Sequence, residues 1–242
     1  MTHWDDVFVA ATGPESVRDS MTRDDIDLVV HAWCGGRRRP GRTAERRARA
    51  TALQIFRPAD SGLAALHVAA RYLSASDELR AALVTGEPAA VPAHPFSGRA
   101  AEGGEAGAVV ARGAGTARIL STVFLGAPPD EALFRADLPW REPSPARHRS
   151  GPLSLPRRRR GTPPPDRGDV SLLEGPERKA VVQALDEAGG TLSDVARIVR
   201  SADQLAALAA LLRREPDDEA PLVVLAGAGS GPDFGCAVLK PV

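Results

Sequence analysis

Residues 52–73 read ALQIFRPADSGLAALHVAARYL, and this stretch decides the fold class. Ala52–Phe56 is short, apolar and β-prone, the signature of a strand buried in a sheet. Arg57–Gly62 then supplies a proline, an aspartate, a serine and a glycine in quick succession, which ends the strand in a sharp elbow. Leu63–Leu73 is apolar nearly all round, so the helix expected there belongs inside the protein. Asp60 and Ser61 fall at the elbow, on the positive end of that buried helix.

Upstream, Asp6–Thr12 (DVFVAAT) reads as a strand, Pro14–Met21 as a brief helix and Ile26–Trp33 (IDLVVHAW) as a β-branched buried strand. Arg37–Ala50 is arginine-dense, with Thr43 placed to cap a helix. Downstream, Glu78–Gly86 gives a further strand, and Gly107–Ala111 with Ala117–Leu125 suggests a hairpin-like pair. The Pro- and Arg-rich stretch 128–173 has little apolar periodicity and reads as a partly disordered linker. Regular pattern resumes with a helix at Pro176–Ala188, closed by Gly189-Gly190, and a strand ending near Val199. An apolar helix at Asp203–Arg214 follows, then strands at Leu222–Ala226 and Phe234–Leu239 around a glycine turn.

Alternating elements of this kind imply an α/β protein with a mostly parallel sheet. The two ends of the chain also rhyme. Asp25–Val30 and Asp194–Val199 share the pattern D-[IV]-x-x-[IV]-V, and GAVVA at 107–111 answers GCAVL at 235–239. The organisation expected is an N-terminal half at 1–127, the linker at 128–173 and a shortened second copy at 174–242.

Bulk properties exclude several function classes. The chain has 242 residues, 43% of them hydrophobic, and a formal net charge of zero, so no global field draws it to nucleic acid or to a membrane surface. Aromatic residues make up only 4%, too few for a surface that stacks bases. The arginine block Arg157–Arg160 is read as part of the linker. No apolar run approaches the ~18 residues of a membrane span, and the polar N-terminus lacks a signal-peptide pattern. With only Cys34 and Cys236 and no metal-ligand spacing, neither a disulfide scaffold, a metal nor a cofactor is expected, and the cytoplasm is the expected compartment.

Five segments in order resemble ketoacyl synthases of the type III class, members of the thiolase-fold superfamily. DIDLVVHAW (25–33) resembles an early strand of the family, and ALQIFRPADSGLAALHVAARYL the segment that carries its nucleophile. ELRAALVTGE (78–87) resembles the strand after that helix, GRAAEGGEAGAVVARG (98–113) the glycine turn beyond it, and LVVLAGAGSGPDFGCAVLKP (222–241) the C-terminal hairpin. The resemblance spans roughly residues 22–125 and 174–241. It implies a thiolase-like αβαβα layered fold built from two duplicated halves, the second shortened. It further implies a place in fatty acid or polyketide biosynthesis, with acyl carrier protein or acyl-CoA as ligand. A homodimer, or a heterodimer with an active ketoacyl synthase, is the expected assembly.

The departures from the family bear on chemistry. Its acyl-accepting cysteine is matched here by Asp60, a poor acyl nucleophile. The strand end that carries its histidine reads Arg200-Ser201-Ala202-Asp203, no histidine follows His148, and the segment that would hold its asparagine is missing. The loss of all three argues for a non-condensing accessory subunit, comparable to a chain-length factor. The alternative is an acyltransferase using Asp60 and Ser61, with His31, His67 or His94 as base. Simpler roles compete for each residue. Asp60 would cap the helix after it, His67, Cys34 and Cys236 would be core residues, and the glycines of 227–231 would serve a tight turn with positive φ. The arginines of 37–49 would form a solvated face or receive an acidic carrier protein.

Overall fold

A computed structural model of the chain describes residues 4–13, 25–33, 50–56, 60–86, 106–125, 173, 175–201, 203–213, 221–227 and 234–242. The helices expected at Pro14–Met21 and after Thr43, and all but one residue of the linker at 128–173, lie outside the described residues. In chain order the elements are β1 (Val7–Thr12), β2 (Leu28–Trp33), β3 (Thr51–Phe56), α1 (Ser61–Ala75), β4 (Ala81–Gly86), β5 (Ala106–Arg112) and β6 (Ala117–Leu125). They continue with α2 (Gly175–Glu187), a 3-10 turn (Leu192–Asp194), β7 (Val195–Ser201), α3 (Gln204–Leu212), β8 (Leu222–Gly227) and β9 (Phe234–Pro241).

All nine strands join one sheet in the order β3-β2-β4-β5-β1-β6-β9-β8-β7. That order is symmetric about the junction of β1 and β6. β5 and β9 flank the centre, β4 and β8 come next, then β2 and β7. Pairing directions repeat with it: antiparallel for β1–β5 and β6–β9, antiparallel for β4–β5 and β8–β9, parallel for β2–β4 and β7–β8. The rhyming segments of the sequence occupy matching places, Asp25–Val30 leading along β2 and Asp194–Val199 along β7. Among the described residues, β3 has no counterpart in the second half. Among the described residues the second half thus repeats the order of the first without a counterpart of β3.

Two sequence expectations fail here. Five of the eight pairings are antiparallel, so the sheet is mixed rather than mostly parallel. Nor do β5 and β6 form a hairpin, because β1 lies between them. The turn after β5 wraps the start of β1, with the Gly113 N–H on the Asp6 carbonyl at 3.4 Å and the Thr116 N–H on the Val9 carbonyl at 2.8 Å. β1 wins that place because Val7, Val9 and Ala11 alternate into the core, which a two-stranded hairpin could not offer.

α1 and α3 pack into one core with strands of both halves of the sheet. Their Leu63, Leu66, Leu73, Leu205 and Leu208 share one core with Val30 and Val84 of the first half and Leu225 and Leu239 of the second. α1 is buried on every side over its first six residues, as its composition suggests, but later turns expose Arg71 and Tyr72. α2 covers the outer face of the second half and packs Ala180, Val181, Ala184 and Leu185 on β6, β8 and β9. Small residues let it approach closely: Ser121 Oγ donates to the Ala184 carbonyl at 2.6 Å and Cys236 Sγ to the Ala180 carbonyl at 3.2 Å. Its end follows the expected glycine rule, with Gly189 at φ 72° and the Gly190 N–H on the Leu185 carbonyl at 2.9 Å.

Candidate functional site

The elbow expected from the sequence is present. Asp60 occupies the N-cap position of α1, and its carbonyl accepts the Ala64 N–H at 2.9 Å to start the helix. Its side chain, however, makes no cap bond, which corrects the reading of Asp60 as a helix cap. The carboxylate instead crosses to the second half, where Oδ2 accepts the N–H of Gly235 at 2.9 Å. Asp60 is 1% exposed and Ser61 is buried beside it.

Two glycines make room for that carboxylate. A Cβ at Gly227 would overlap Oδ1 and stand 2.5 Å from Cγ of Asp60, and a Cβ at Gly235 would stand 3.4 Å from Asp60 Cβ and 2.6 Å from Phe124 Cε1. Gly227 ends β8 and owes its identity to this close approach, since it is not among the positive-φ glycines. That corrects the turn reading for Gly227; residues 228–231 lie outside the described residues.

The reciprocal contact comes from Gln204, the first residue of α3. It is 2% exposed, and its Oε1 accepts the N–H of Gly62, in the first turn of α1, at 3.2 Å. Its Nε2 donates to the Ser201 carbonyl at 2.8 Å, fixing the carboxamide's orientation. Again glycines admit the visitor: a Cβ at Gly62 would stand 2.9 Å from Gln204 Oε1, and one at Gly86 would stand 3.0 Å from Leu205 Cδ1. Second-half glycines therefore hold a first-half carboxylate, and first-half glycines hold a second-half carboxamide. Nothing in the local sequence marks Gln204; the one available signal is a polar residue opening an otherwise apolar helix.

The other candidates have separate settings. His67 Nδ1 lies 2.7 Å from Thr122 Oγ1, which also accepts from Trp4 Nε1 at 3.2 Å. Trp4 and Phe124 meet the imidazole edge-on, with ring centroids 5.6 and 5.5 Å away. Burial, aided by the nearby Arg71 charge, holds His67 below its ordinary pKa. His31 is on β2 with Nδ1 2.9 Å from Thr85 Oγ1. Both histidines are thus engaged with threonines, and His94 lies outside the described residues. Cys236 is buried, and desolvation pushes its thiol up to about 12, so it is protonated and packed as a core residue. Cys34 and the arginines of 37–49 lie outside the described residues.

At the end of β7, where the sequence reading looked for a histidine, Arg200 Nε meets Glu177 Oε1 at 2.6 Å. Burial raises the Glu177 carboxyl, and the Arg200 charge opposes it. Among the described residues, no cluster of three or more histidines, cysteines, aspartates or glutamates could hold a metal, and no helix is long and apolar enough to cross a membrane.

This arrangement of layers, symmetric strand order and buried elbow helix is the thiolase-like fold of type III ketoacyl synthases. The chain is similar in structure to the acyltransferase ChlB3, with TM-score 0.65 and 17% identity over 98% of both chains. It also matches the tetronic acid condensing enzyme AbyA1 (TM-score 0.57, 18% identity, 91% of this chain and 80% of that one). The 3-oxoacyl-[acyl-carrier-protein] synthase III of Aquifex aeolicus VF5 is a further match (TM-score 0.51, 16% identity, 93% and 81%). No family model and no curated protein sequence matches the chain.

Proposed function

We propose that this chain is a non-condensing, ketoacyl-synthase-like subunit of fatty acid or polyketide biosynthesis. It would work beside an active synthase, as a chain-length factor does. One observation carries the reading: the elbow is filled from both sides by protein atoms. Its carboxylate is bonded to the Gly235 N–H, and the neighbouring first-turn N–H of Gly62 is taken by Gln204. An acyl-accepting group has to reach a thioester carbon, and a side chain wedged against two glycine Cα atoms is spent on holding the halves together. The residues at the family's histidine position support the same reading, because Arg200 is engaged with Glu177. In this role the fold serves as a surface and stabiliser for a partner that carries its own cysteine, in a dimer that meets an acyl carrier protein.

The deciding experiment is intact-protein mass after incubation with acetyl-, malonyl- and longer acyl-CoA thioesters, with and without hydroxylamine. No mass increase is expected. A hydroxylamine-labile adduct on Asp60 or Ser61 would overturn the reading. Co-expression with a ketoacyl synthase that keeps its cysteine should then yield a stable complex whose products differ in chain length from those of the synthase alone.

A second reading has one observation in its favour. ChlB3, described as an acyltransferase, matches this chain along 98% of both lengths. If the adduct forms, the chain moves acyl groups between coenzyme A or a carrier protein and an acceptor, using Asp60 or Ser61.

A further inference from the structure

We infer that Trp4, Thr122 and His67 form a proton-sensitive latch: a neutral imidazole on α1 holds Trp4, at the entry to β1, against β6, and acid releases it. The inference goes beyond the proposed function and does not depend on it. It follows from counting donors and acceptors around one buried hydroxyl. Thr122 is 1% exposed, so its Oγ1 has to find partners within the protein. Trp4 Nε1 donates to that oxygen at 3.2 Å. An indole N–H is a donor only, so it cannot receive the Thr122 hydrogen. His67 Nδ1, at 2.7 Å, is the remaining neighbour, and among the described residues the hydroxyl has no other partner. Nδ1 is therefore the acceptor, and the neutral ring carries its hydrogen on Nε2. The same tautomer removes His67 as a general base for Ser61, since Nδ1 is occupied and Nε2 is already protonated.

A second proton on the ring breaks this arrangement. An imidazolium has hydrogens on both nitrogens, so the Thr122 oxygen would face two donors while its own hydrogen has no acceptor. A buried hydroxyl orphaned in that way is destabilising. Thr122 and His67 sit midway along β6 and α1, whereas Trp4 precedes β1 and is fastened by its backbone N–H to the Leu120 carbonyl at 3.0 Å. Trp4 is thus the member that gives way. Its ring stands edge-on to His67, with centroids 5.6 Å apart.

The charges nearby set the direction. Arg71, one turn along α1, adds its repulsion to burial in keeping the ring neutral. Asp60, two turns earlier, is turned to the Gly235 N–H of β9. β6 presents Thr122 and Phe124 to the ring, and the segment before β1 presents Trp4, none of them charged. Asp5 and Asp6, next to Trp4 in the chain, approach Arg118 and Arg112 at 3.9 Å each. The latch is therefore closed above the ordinary imidazole pKa of 6.5 and opens as pH falls through the lowered folded value.

The test is acrylamide quenching of fluorescence in the full chain carrying Trp33→Phe and Trp140→Phe, which leaves Trp4 as its one indole. Far-UV circular dichroism defines the pH range over which the fold is intact. Across that range this form is compared with the same chain carrying His67→Gln or Thr122→Val. Quenching should be low near neutral pH and rise severalfold in acid, with a midpoint below 6.5. His67→Gln, whose Oε1 accepts the hydroxyl hydrogen without titrating, should keep it low throughout. Thr122→Val, which takes the acceptor from Trp4, should give a raised level that changes little with pH. A flat profile in the first form, or an equal rise in His67→Gln, would overturn the latch.

If the tryptophan substitutions do not fold, nitrogen NMR of the wild-type chain labelled at histidine decides. The His67 ring is identified by its cross-relaxation with the Trp4 ring, and its Nδ1 should carry no hydrogen at neutral pH. A hydrogen found on Nδ1 there would sink the proposal.

Discussion

Both central helices begin with an aspartate, and the two aspartates do opposite things. α1 and α3 occupy the same layer, each preceding a symmetry-related strand, β4 or β8. At α3 the N-cap Asp203 works locally, its Oδ1 accepting the N–H of Ala206 at 3.1 Å. At α1 Asp60 ignores its own helix and bonds to Gly235, 175 positions further along the chain. The difference lies in surroundings. Asp203 is near solvent, where a short loop of chain around one hydrogen bond is the cheapest arrangement. Asp60 is enclosed by β8 and β9, where an unsatisfied carboxylate would be costly and the Gly235 N–H needs an acceptor. The same residue at the same helical position is a cap in one half and a cross-half tie in the other.

The strongest way to break this comparison is at the glycine that admits the tie. In Gly227→Ala the new methyl would overlap the Asp60 carboxylate, so either the carboxylate or β8 has to move. A destabilisation of about 3 kcal/mol or more is expected, from overpacking and from losing a buried charged hydrogen bond together. The same change made in an Asp60→Ala background should cost less than about 1 kcal/mol, because the clash is gone. Urea denaturation of the four forms in a double-mutant cycle gives the coupling. Additive losses would show that Gly227 is needed for some reason other than Asp60.

A second comparison sets the two aspartates side by side. Asp203→Ala removes a single exposed cap and should cost about 1 kcal/mol. Asp60→Ala strands the buried Gly235 N–H and leaves a gap between the halves, so about 2–4 kcal/mol is expected. Equal losses by chemical denaturation would mean that Asp60 acts only as a local cap after all.

How much of this was legible in the sequence follows from the same contrast. The start of α3 beside Asp203, the Gly189-Gly190 stop and the buried start of α1 depend on residues a few positions apart, and local rules reach them. They reach the duplication too, since β2 and β7, and β5 and β9, keep their rhyming segments in equivalent places. What local rules missed is non-local. The insertion of β1 between β5 and β6 pairs residues about a hundred positions apart, whereas a hairpin guess considers only neighbours. Gln204 meets Gly62 across 142 positions, and a glutamine at a helix start carries no hint of that. Gly227 was noticed for a turn it could make, while its role is to lack a Cβ facing Asp60. The elbow itself was found by its pattern, and its wiring was not.

The two helices also differ in what acid should do to them, the smallest of the expected effects. α3, from Gln204 to Leu212, contains no titratable side chain, whereas α1 carries His67. His67 is held below its ordinary pKa of 6.5 mainly by burial, with Arg71 adding to the shift. Its other close partners, Thr122, Trp4 and Phe124, are uncharged and supply no compensating anion. The fold therefore favours the neutral imidazole. Its contribution to stability is complete above the unfolded-state pKa and is lost as pH falls from about 6.5 towards the folded value, where both states bind the proton. A drop of a few degrees at most in melting temperature is expected between pH 7 and pH 5 from this group. The His67→Gln variant, which keeps a polar group towards Thr122 without a titrating proton, should flatten that part of the profile. Parallel profiles for variant and wild type would place the acid sensitivity elsewhere, and the two central helices would then differ in their starts alone.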